Sequence, residues 1–231
     1  MKAVLLCAGY ATRLRPLTYY VSKAMIPVAG KPLVEHILVK LRDEGFEDFI
    51  ICLSHLREQV EHYFGDGQRF GVRLQYSQGE RPLNTAGEIV NARRLLEGEA
   101  DFLVHYGDIL TNLDIRRLLQ THRQKRAAAT LGLVTDVPVH AGVAQIDDEG
   151  RVTYFEEKPP LDKPCHAAVN VFSDAFWKYA ALDLDIATHV IPAMMAAGER
   201  VYGVLDEHAY WYDVGRLSDL DEVNKVFAAS L

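Results

Sequence analysis

From residue 1 to about residue 125, short apolar runs alternate with amphipathic stretches, the pattern of a parallel sheet covered by helices on both faces. Residues 4–8 predict the first strand. Leu33, Val34, Ile37, Leu38 and Leu41 follow at helical spacing, with Pro32 suited to an early helix position and Gly45 to the stop. Residues 49–53 read as the second strand and 56–64 as a helix ended by Gly65, while Val72, Leu74 and Tyr76 alternate as a strand. Helical spacing returns over 86–96, and the run 102–106 is a strand whose carboxyl end meets Gly107 and Asp108. Farther on, strands over 127–134, 142–146, 152–155, 168–172 and 200–205 mix with helices over 175–182, 186–197 and 217–228. No linker, repeat or low-complexity tract divides the chain, so the expectation is one α/β domain over 1–231.

In an open α/β sheet the ligand sits beyond the carboxyl ends of the strands. The loops after the first strand and after residue 106 are therefore expected to face one another across a cleft, bringing Arg13, Lys23 and Asp108 together. The first loop reads Ala8-Gly9-Tyr10-Ala11-Thr12-Arg13, with Lys23 a short distance on. Its small residues let backbone N–H groups turn toward an anion, and the two cations suit a polyphosphate. Taken alone, the same segment is also a tight turn followed by a solvated basic stretch. Ala11 fits the phosphate loop if its φ is negative, the conformation expected here.

Composition narrows the partners. Acidic residues outnumber basic ones, 32 against 25, for a formal charge of −7, which argues against a general nucleic-acid-binding surface. Phosphate affinity then comes from the placement of a few cations. Cys7, Cys52 and Cys165 are odd in number and far apart, and read as reduced packing thiols. No leader is expected ahead of the first strand and no apolar run approaches a membrane span, so the expected compartment is the cytoplasm, with no membrane partner. The P-loop, Gly-x-Gly-x-x-Gly and His-Glu-x-x-His fingerprints are absent.

Asp108 follows Gly107 at a strand end, where a carboxylate serves as a metal ligand or as the cap of a helix that Asn112 and Asp114 announce. Asp213 has a similar setting in Trp211-Tyr212-Asp213-Val214-Gly215. Two carboxylates joined by substrate phosphate oxygens meet the demand of Mg²⁺ for hard ligands. Glu157 and Lys158 read either as a solvated strand face or as a hydroxyl acceptor beside a phosphate-neutralising ammonium. Gln78 is a candidate for a base edge and equally an exposed loop residue; His166 is equally a surface histidine.

Taken in order, these strings resemble the sugar-1-phosphate nucleotidyltransferases, also called nucleotide-sugar pyrophosphorylases. Residues 9–18 with Lys23 resemble the family's Gly-x-Gly-Thr-Arg-Leu-x-Pro-Leu-Thr and Lys-Pro, and residues 82–87 its Pro-Leu-Gly-Thr-Ala-Gly. Gly107-Asp108, Glu157-Lys158-Pro159 and Trp211-Tyr212-Asp213-Val214-Gly215 resemble its Gly-Asp, Glu-Lys-Pro and Trp-x-Asp-x-Gly elements, so the likeness reaches about residue 224. Ala11 and Asn84 stand where the family usually has Gly, Ala24 where it has Pro, and His166-Ala167-Ala168 where it has Asn-Ala-Gly.

The resemblance implies a Rossmann-like, doubly wound mixed α/β sheet of the nucleotide-sugar pyrophosphorylase (GT-A-like) type, with a nucleotide-binding half over about 1–125 and a sugar-phosphate half over about 126–231. It implies transfer of a nucleotidyl group from a nucleoside triphosphate to a sugar 1-phosphate, with Mg²⁺ held by Asp108 and Asp213. Ala8, Gly9, Ala11 and Thr12 form the nucleotide loop; Arg13 takes the leaving β,γ-phosphates, Lys23 the α-phosphate and Lys158 the acceptor phosphate. Gln78, Asn84, Thr85 and Gly87 lie beside base and sugar, and Glu157, His166 and Asn170 at the acceptor. A compact enzyme of the mannose- or heptose-1-phosphate guanylyltransferase kind is the first expectation, with oligomeric state, including a homodimer, left open. Uridylyl, thymidylyl or cytidylyl transfer, to another sugar 1-phosphate or to phosphocholine, comes next. From other classes come a non-catalytic nucleotide-sugar sensor and a glycosyltransferase, the latter opposed by a loop built to expel pyrophosphate.

Overall fold

The computed structural model describes residues 1–139 and 141–228. The chain opens with β1 (Ala3–Leu6), then a ribbon of β2 (Pro27–Val28) and β3 (Lys31–Pro32), helix α1 (Leu33–Asp43), β4 (Asp48–Leu53), α2 (Arg57–Phe64) and β5 (Arg73–Gln78). Next come α3 (Asn84–Asn91), β6 (Asp101–Tyr106), β7 (Ile109–Thr111), α4 (Ile115–Lys125) and β8 (Ala129–Val134). A hairpin of β9 (Gly142–Ile146) and β10 (Val152–Glu157) precedes β11 (Cys165–Ser173), α5 (Ile191–Ala196), β12 (Val201–Asp206), β13 (Trp211–Asp213) and α6 (Leu217–Ala228).

Seven strands form one sheet in the order β12-β8-β11-β6-β1-β4-β5, with β11 antiparallel to both neighbours and the other pairs parallel. This is the mixed, doubly wound sheet expected from the resemblance, and it takes strands from both halves of the chain. Consecutive residues of the central strands enter opposite cores: Leu5, Ile51 and Leu103 pack under α1 and α4, whereas Val4, Ile50 and Val104 pack under α3 and α5. Burial on both faces explains why these strands read as unbroken apolar runs. The five apolar positions of α1 read at helical spacing are all buried, each contributing about 1.5–3 kcal/mol. Among the described residues no helix is long and apolar enough to cross a membrane.

Several boundaries differ from expectation. Strand β1 ends at Leu6, which leaves Ala8 in the loop. The helix expected over 175–182 is a single 3₁₀ turn, Asp174–Lys178, whose Phe176 and Trp177 close an aromatic cluster on Phe102. The helix expected over 186–197 opens as a π-turn, Ile186–Val190, before α5; Pro192 has no N–H for the carbonyl four residues back, and the backbone widens ahead of it. Asp114 alone caps α4, accepting from the Arg117 N–H at 3.0 Å, whereas the Asn112 carboxamide accepts from the Tyr210 N–H at 2.7 Å. That second bond supports an unforeseen feature, the antiparallel ribbon of β7 and β13.

Candidate active site

The loop after β1 is pinned from several sides. The Ser54 hydroxyl donates to the buried Ala8 carbonyl, and the Thr18 hydroxyl and the Leu14 N–H both donate to the Ala11 carbonyl at 3.0 Å. Ala11 lies at φ 47°, ψ 48°, in the left-handed region. The expectation of a negative φ is therefore overturned: the loop keeps the backbone turn that glycine adopts freely and carries a methyl group through it, at a cost of about 1–2 kcal/mol. Such strain persists where surrounding bonds over-determine the backbone.

Gly9, Ala11, Thr12, Arg13, Lys23 and Asp108 line one cavity of about 300 Å³. The Lys23 Nζ donates to Asp108 Oδ2 at 2.7 Å. A side chain at Gly107 would strike the Cys7 sulfur and come within 2.8 Å of the Leu6 carbonyl, so this turn admits glycine alone. Burial, with the Asp108 charge, pushes the Cys7 thiol up to about 12, which leaves it an inert packing group.

The β7–β13 ribbon delivers the second carboxylate. Asp213 pairs with Ile109, and the Val214 N–H donates to the Asp108 carbonyl at 3.0 Å. Burial and then the Asp108 charge raise the Asp213 carboxyl above the usual range, against the opposing pull of Lys23 and Arg13. The Asp213 Oδ1 is buried with no hydrogen-bond partner, and the nearest cation to its Oδ2 is the Arg13 guanidinium at 4.0 Å. A Cβ at Gly215 would sit 2.9 Å from Arg13 Nη2, so the glycine leaves room for that guanidinium.

An unpartnered buried carboxylate oxygen beside a second carboxylate fits a hard divalent cation. Among the described residues no cluster of three or more His, Cys, Asp or Glu is gathered as ligands. Such a pair suits Mg²⁺, which keeps waters and substrate phosphates for its remaining positions.

A second cavity of about 620 Å³ opens on the other side of Arg13 and is lined by Lys158, Asp213, Trp211 and Arg216 among others. Arg13 thus belongs to both walls. Lys158 has φ 52°, held by its own N–H donating to the Ala141 carbonyl at 3.2 Å.

The remaining candidates lie outside these two walls. Gln78 is exposed and its amide donates to Glu61 at 2.6 Å; Glu157 is exposed on the hairpin. Asn84 takes φ 59°, and its amide donates to the Asp183 carbonyl at 2.8 Å. The Thr85 hydroxyl donates to Asp185 at 2.7 Å, and a Cβ on Gly87 would come within 2.9 Å of the Asp183 nitrogen. These residues bind α3 to the segment 183–186. His166 and Asn170 form a separate pair at the start of β11, with Nε2 and Oδ1 2.7 Å apart.

Two supporting residues escaped the reading of the sequence. Asp219 accepts from the Gly215 and Arg216 N–H groups, fixing the turn behind Asp213; an acidic residue in the first turn of α6 is the signal that marks it. Asp185 accepts from Thr85 and from the Ala187 and Thr188 N–H groups, and Asp-x-x-Thr at a helix start carries similar information.

A family described as nucleotidyl transferase matches residues 2–230. A mannose-1-phosphate guanylyltransferase of Mycobacterium tuberculosis is 36% identical over 94% of this chain and 62% of its own length. A UTP–glucose-1-phosphate uridylyltransferase of Synechocystis is 34% identical over 95% of this chain and 61% of its own length. The chain thus spans about three-fifths of these relatives. Among solved structures, HddC from Yersinia pseudotuberculosis, complexed with GMP-PN, superposes with a TM-score of 0.77 at 20% identity over 98% of this chain and 99% of its own. A Bacillus anthracis protein in complex with a sucrose reaches 0.81 at 23% identity, over 99% and 95%.

Proposed function

The chain belongs to the nucleotidyl transferase family, in its sugar-1-phosphate branch, and from that premise we propose that it transfers a nucleotidyl group from a nucleoside triphosphate to a sugar 1-phosphate. The observation that carries the reading is the meeting of two cations and two carboxylates, Arg13, Lys23, Asp108 and Asp213, where the two cavities join.

In this reading an oxygen of the acceptor phosphate forms the new bond to the α-phosphorus. The bond from that phosphorus to the α,β-bridging oxygen breaks, and pyrophosphate leaves with the electron pair. No side chain serves as nucleophile, so acceleration rests on positioning and charge neutralisation. The first cavity holds the triphosphate: Gly9, Ala11 and Thr12 present backbone, Lys23 faces the α-phosphate, and Arg13 takes the departing phosphates. Across Arg13, Lys158 neutralises the acceptor phosphate in the larger cavity. Asp108 and Asp213 would hold Mg²⁺, which when bound supplies further charge neutralisation at phosphate oxygens.

Guanylyl transfer to a mannose- or heptose-type sugar 1-phosphate is the preferred substrate pair, supported by the guanylyltransferase relative and the GMP-PN complex of a structural neighbour. Uridylyl and thymidylyl transfer follow from other relatives of similar identity. A donor drawn from the cellular triphosphate pool makes the cytoplasm the expected compartment. The test is pyrophosphate release with Mg²⁺ across the five common nucleoside triphosphates and a panel of sugar 1-phosphates plus phosphocholine. Acceptor-dependent release in one combination is expected; silence in all of them from protein that binds a nucleotide sugar favours a sensor.

A further inference from the structure

The backbone leading into Lys23 is held from outside its own segment. Between the 3₁₀ turns Leu17–Tyr19 and Lys23–Met25 lie Tyr20, Val21 and Ser22, which belong to no helix or strand. Tyr19 and Tyr20 are 54% and 77% exposed, so their rings add little packing to fix the chain here. The Gln59 carboxamide, from α2, does so instead. Its Nε2 donates to the Tyr20 carbonyl at 2.7 Å, and its Oε1 accepts from the Ser22 N–H at 2.8 Å. A flipped carboxamide would set donor against donor and acceptor against acceptor, so the pair of bonds defines its orientation.

Ser22 directly precedes Lys23, and its carbonyl accepts from the Met25 N–H at 2.8 Å, closing the turn that carries the lysine. Just ahead of α2, His55 Nε2 donates to the Thr18 carbonyl at 3.2 Å, and the Thr18 hydroxyl in turn holds the Ala11 carbonyl. The chain between the loop after β1 and Lys23 is thus gripped at two points by one neighbouring element. Lys23 lines the first cavity, with its Nζ 2.7 Å from Asp108 Oδ2. A lysine carries its charge on a flexible four-carbon stem, so the ammonium is placed only as well as the main chain beneath it. Gln59 itself lines neither cavity.

We propose that Gln59 is a positioning residue for Lys23: its carboxamide sets the backbone at Tyr20 and Ser22 so that the Lys23 ammonium meets the α-phosphate as charge builds there. The inference rests on the nucleotidyl-transfer reading and extends the machinery to a side chain outside the cleft. A catalytic group displaced by about 1 Å loses up to about 10²-fold in rate. Because Gln59 acts through Lys23, its effect falls on turnover more than on binding of the triphosphate, and it vanishes once the ammonium is gone.

A double-mutant cycle on the whole chain tests this. Gln59→Leu removes both bonds and is expected to lower kcat by about ten- to hundredfold while changing the KM for the triphosphate by less than about threefold. A KM effect as large as the kcat effect overturns the inference, as does a folded variant with wild-type kcat. In protein that already carries Lys23→Ala, the same substitution is expected to change kcat by less than about twofold, and an undiminished loss in that background overturns it. Arg200 controls for lost stability: its guanidinium makes two bonds to the Arg126 carbonyl just before β12, at the end of the sheet away from the cavities. Arg200→Leu is expected to keep kcat, and a fall equal to that of Gln59→Leu overturns the proposal. If Gln59→Leu does not fold, Gln59→Glu decides. It keeps the acceptor for the Ser22 N–H and loses the donor to Tyr20, so kcat is expected to fall only while Lys23 is present; wild-type kcat, or an equal fall without Lys23, overturns the proposal. Wild-type protein that releases no pyrophosphate with any sugar 1-phosphate overturns the reaction itself, whereas active wild-type protein in which the two losses multiply overturns this inference alone.

Discussion

Lys23 Nζ and Asp108 Oδ2 are 2.7 Å apart, and the two side chains come from segments 85 residues apart in sequence. The pair holds one positive and one negative group ready at the wall of the first cavity, each neutralising the other. Replacing Lys23 by Ala is expected to lower kcat by about 10²–10³, the usual loss of one preorganised charge contact. It also leaves Asp108 and Asp213 facing one another with less compensation, so the melting temperature falls as well. Lys23→Arg is expected to restore the melting temperature more than the rate, because a planar fork does not place charge where a mobile ammonium does. Calorimetry alongside steady-state pyrophosphate release separates the two effects.

Asp213 carries a stability cost that changes with pH. Burial first and Asp108 second raise its carboxyl in the folded protein, so the folded state binds that proton more tightly than the unfolded chain. The destabilisation is absent below the unfolded value of about 4 and complete above the raised folded value. Asp213→Asn is therefore expected to melt higher than wild type near pH 7 without ligand, with the difference closing toward pH 4, while turnover is lost. A melting temperature at pH 7 equal to or below wild type contradicts the account of Asp213 as a destabilised carboxylate.

Mg²⁺ is expected to relieve the same cost. Because Asp213 Oδ1 has no protein partner, added Mg²⁺ raises the wild-type melting temperature as its concentration passes Kd, by about 2.7 kcal/mol of stability at 100 Kd. Asp213→Asn is expected to abolish most of that rise, and EDTA to reverse it. A thermal shift that survives in Asp213→Asn places the cation elsewhere.

Ala11 and Ala168 both hold left-handed backbone, at φ 47° and φ 59°. Glycine at either position removes about 1–2 kcal/mol of strain and returns about 0.5–1 kcal/mol through the greater freedom of the unfolded chain. Each substitution is expected to be neutral to stabilising by up to about 1.5 kcal/mol, or about 3–6 °C. Ala11→Val is expected to destabilise, since a β-branched side chain tolerates this region poorly. Denaturant midpoints of the three variants check the ordering.

Gly107 and Gly215 separate structure from function. A methyl group at 107 meets the Leu6 backbone carbonyl and the Cys7 sulfur, whereas one at 215 meets chiefly the end of the Arg13 side chain. Gly107→Ala is expected to cost about 1–3 kcal/mol through overpacking. Gly215→Ala is expected to fold normally and to raise the KM for the triphosphate by displacing Arg13. Equal stability losses in the two variants contradict that division.

The meeting of Arg13, Lys23 and Asp108 in one cavity was legible because loops beyond strand carboxyl ends share a cleft and because charge at such places has few structural uses. The helix over 175–182 was overread, since the apolar spacing of Phe176 and Trp177 serves an aromatic cluster instead of a helix face. The sign of φ at Ala11 was misread as well. A short loop fixed by Thr18, Leu14 and Ser54 overrides the preference of one residue, and none of those partners is adjacent to it.

Local patterning by itself determined the α/β class, most of the strands, the loop of small residues after β1 and the charged residues that line the first cavity, because burial periodicity and charge are properties of short segments. Tertiary structure alone decided how Asp213 joins Asp108 and where Arg13 stands between the cavities. The three-residue β7–β13 ribbon carries Asp213 to Asp108, and Arg13 stands between two cavities whose walls come from distant parts of the chain. The bulge in β11 sets His166 on Asn170. Each depends on pairings between remote segments, whose free energy lies in packing and register and leaves no periodic trace in either segment.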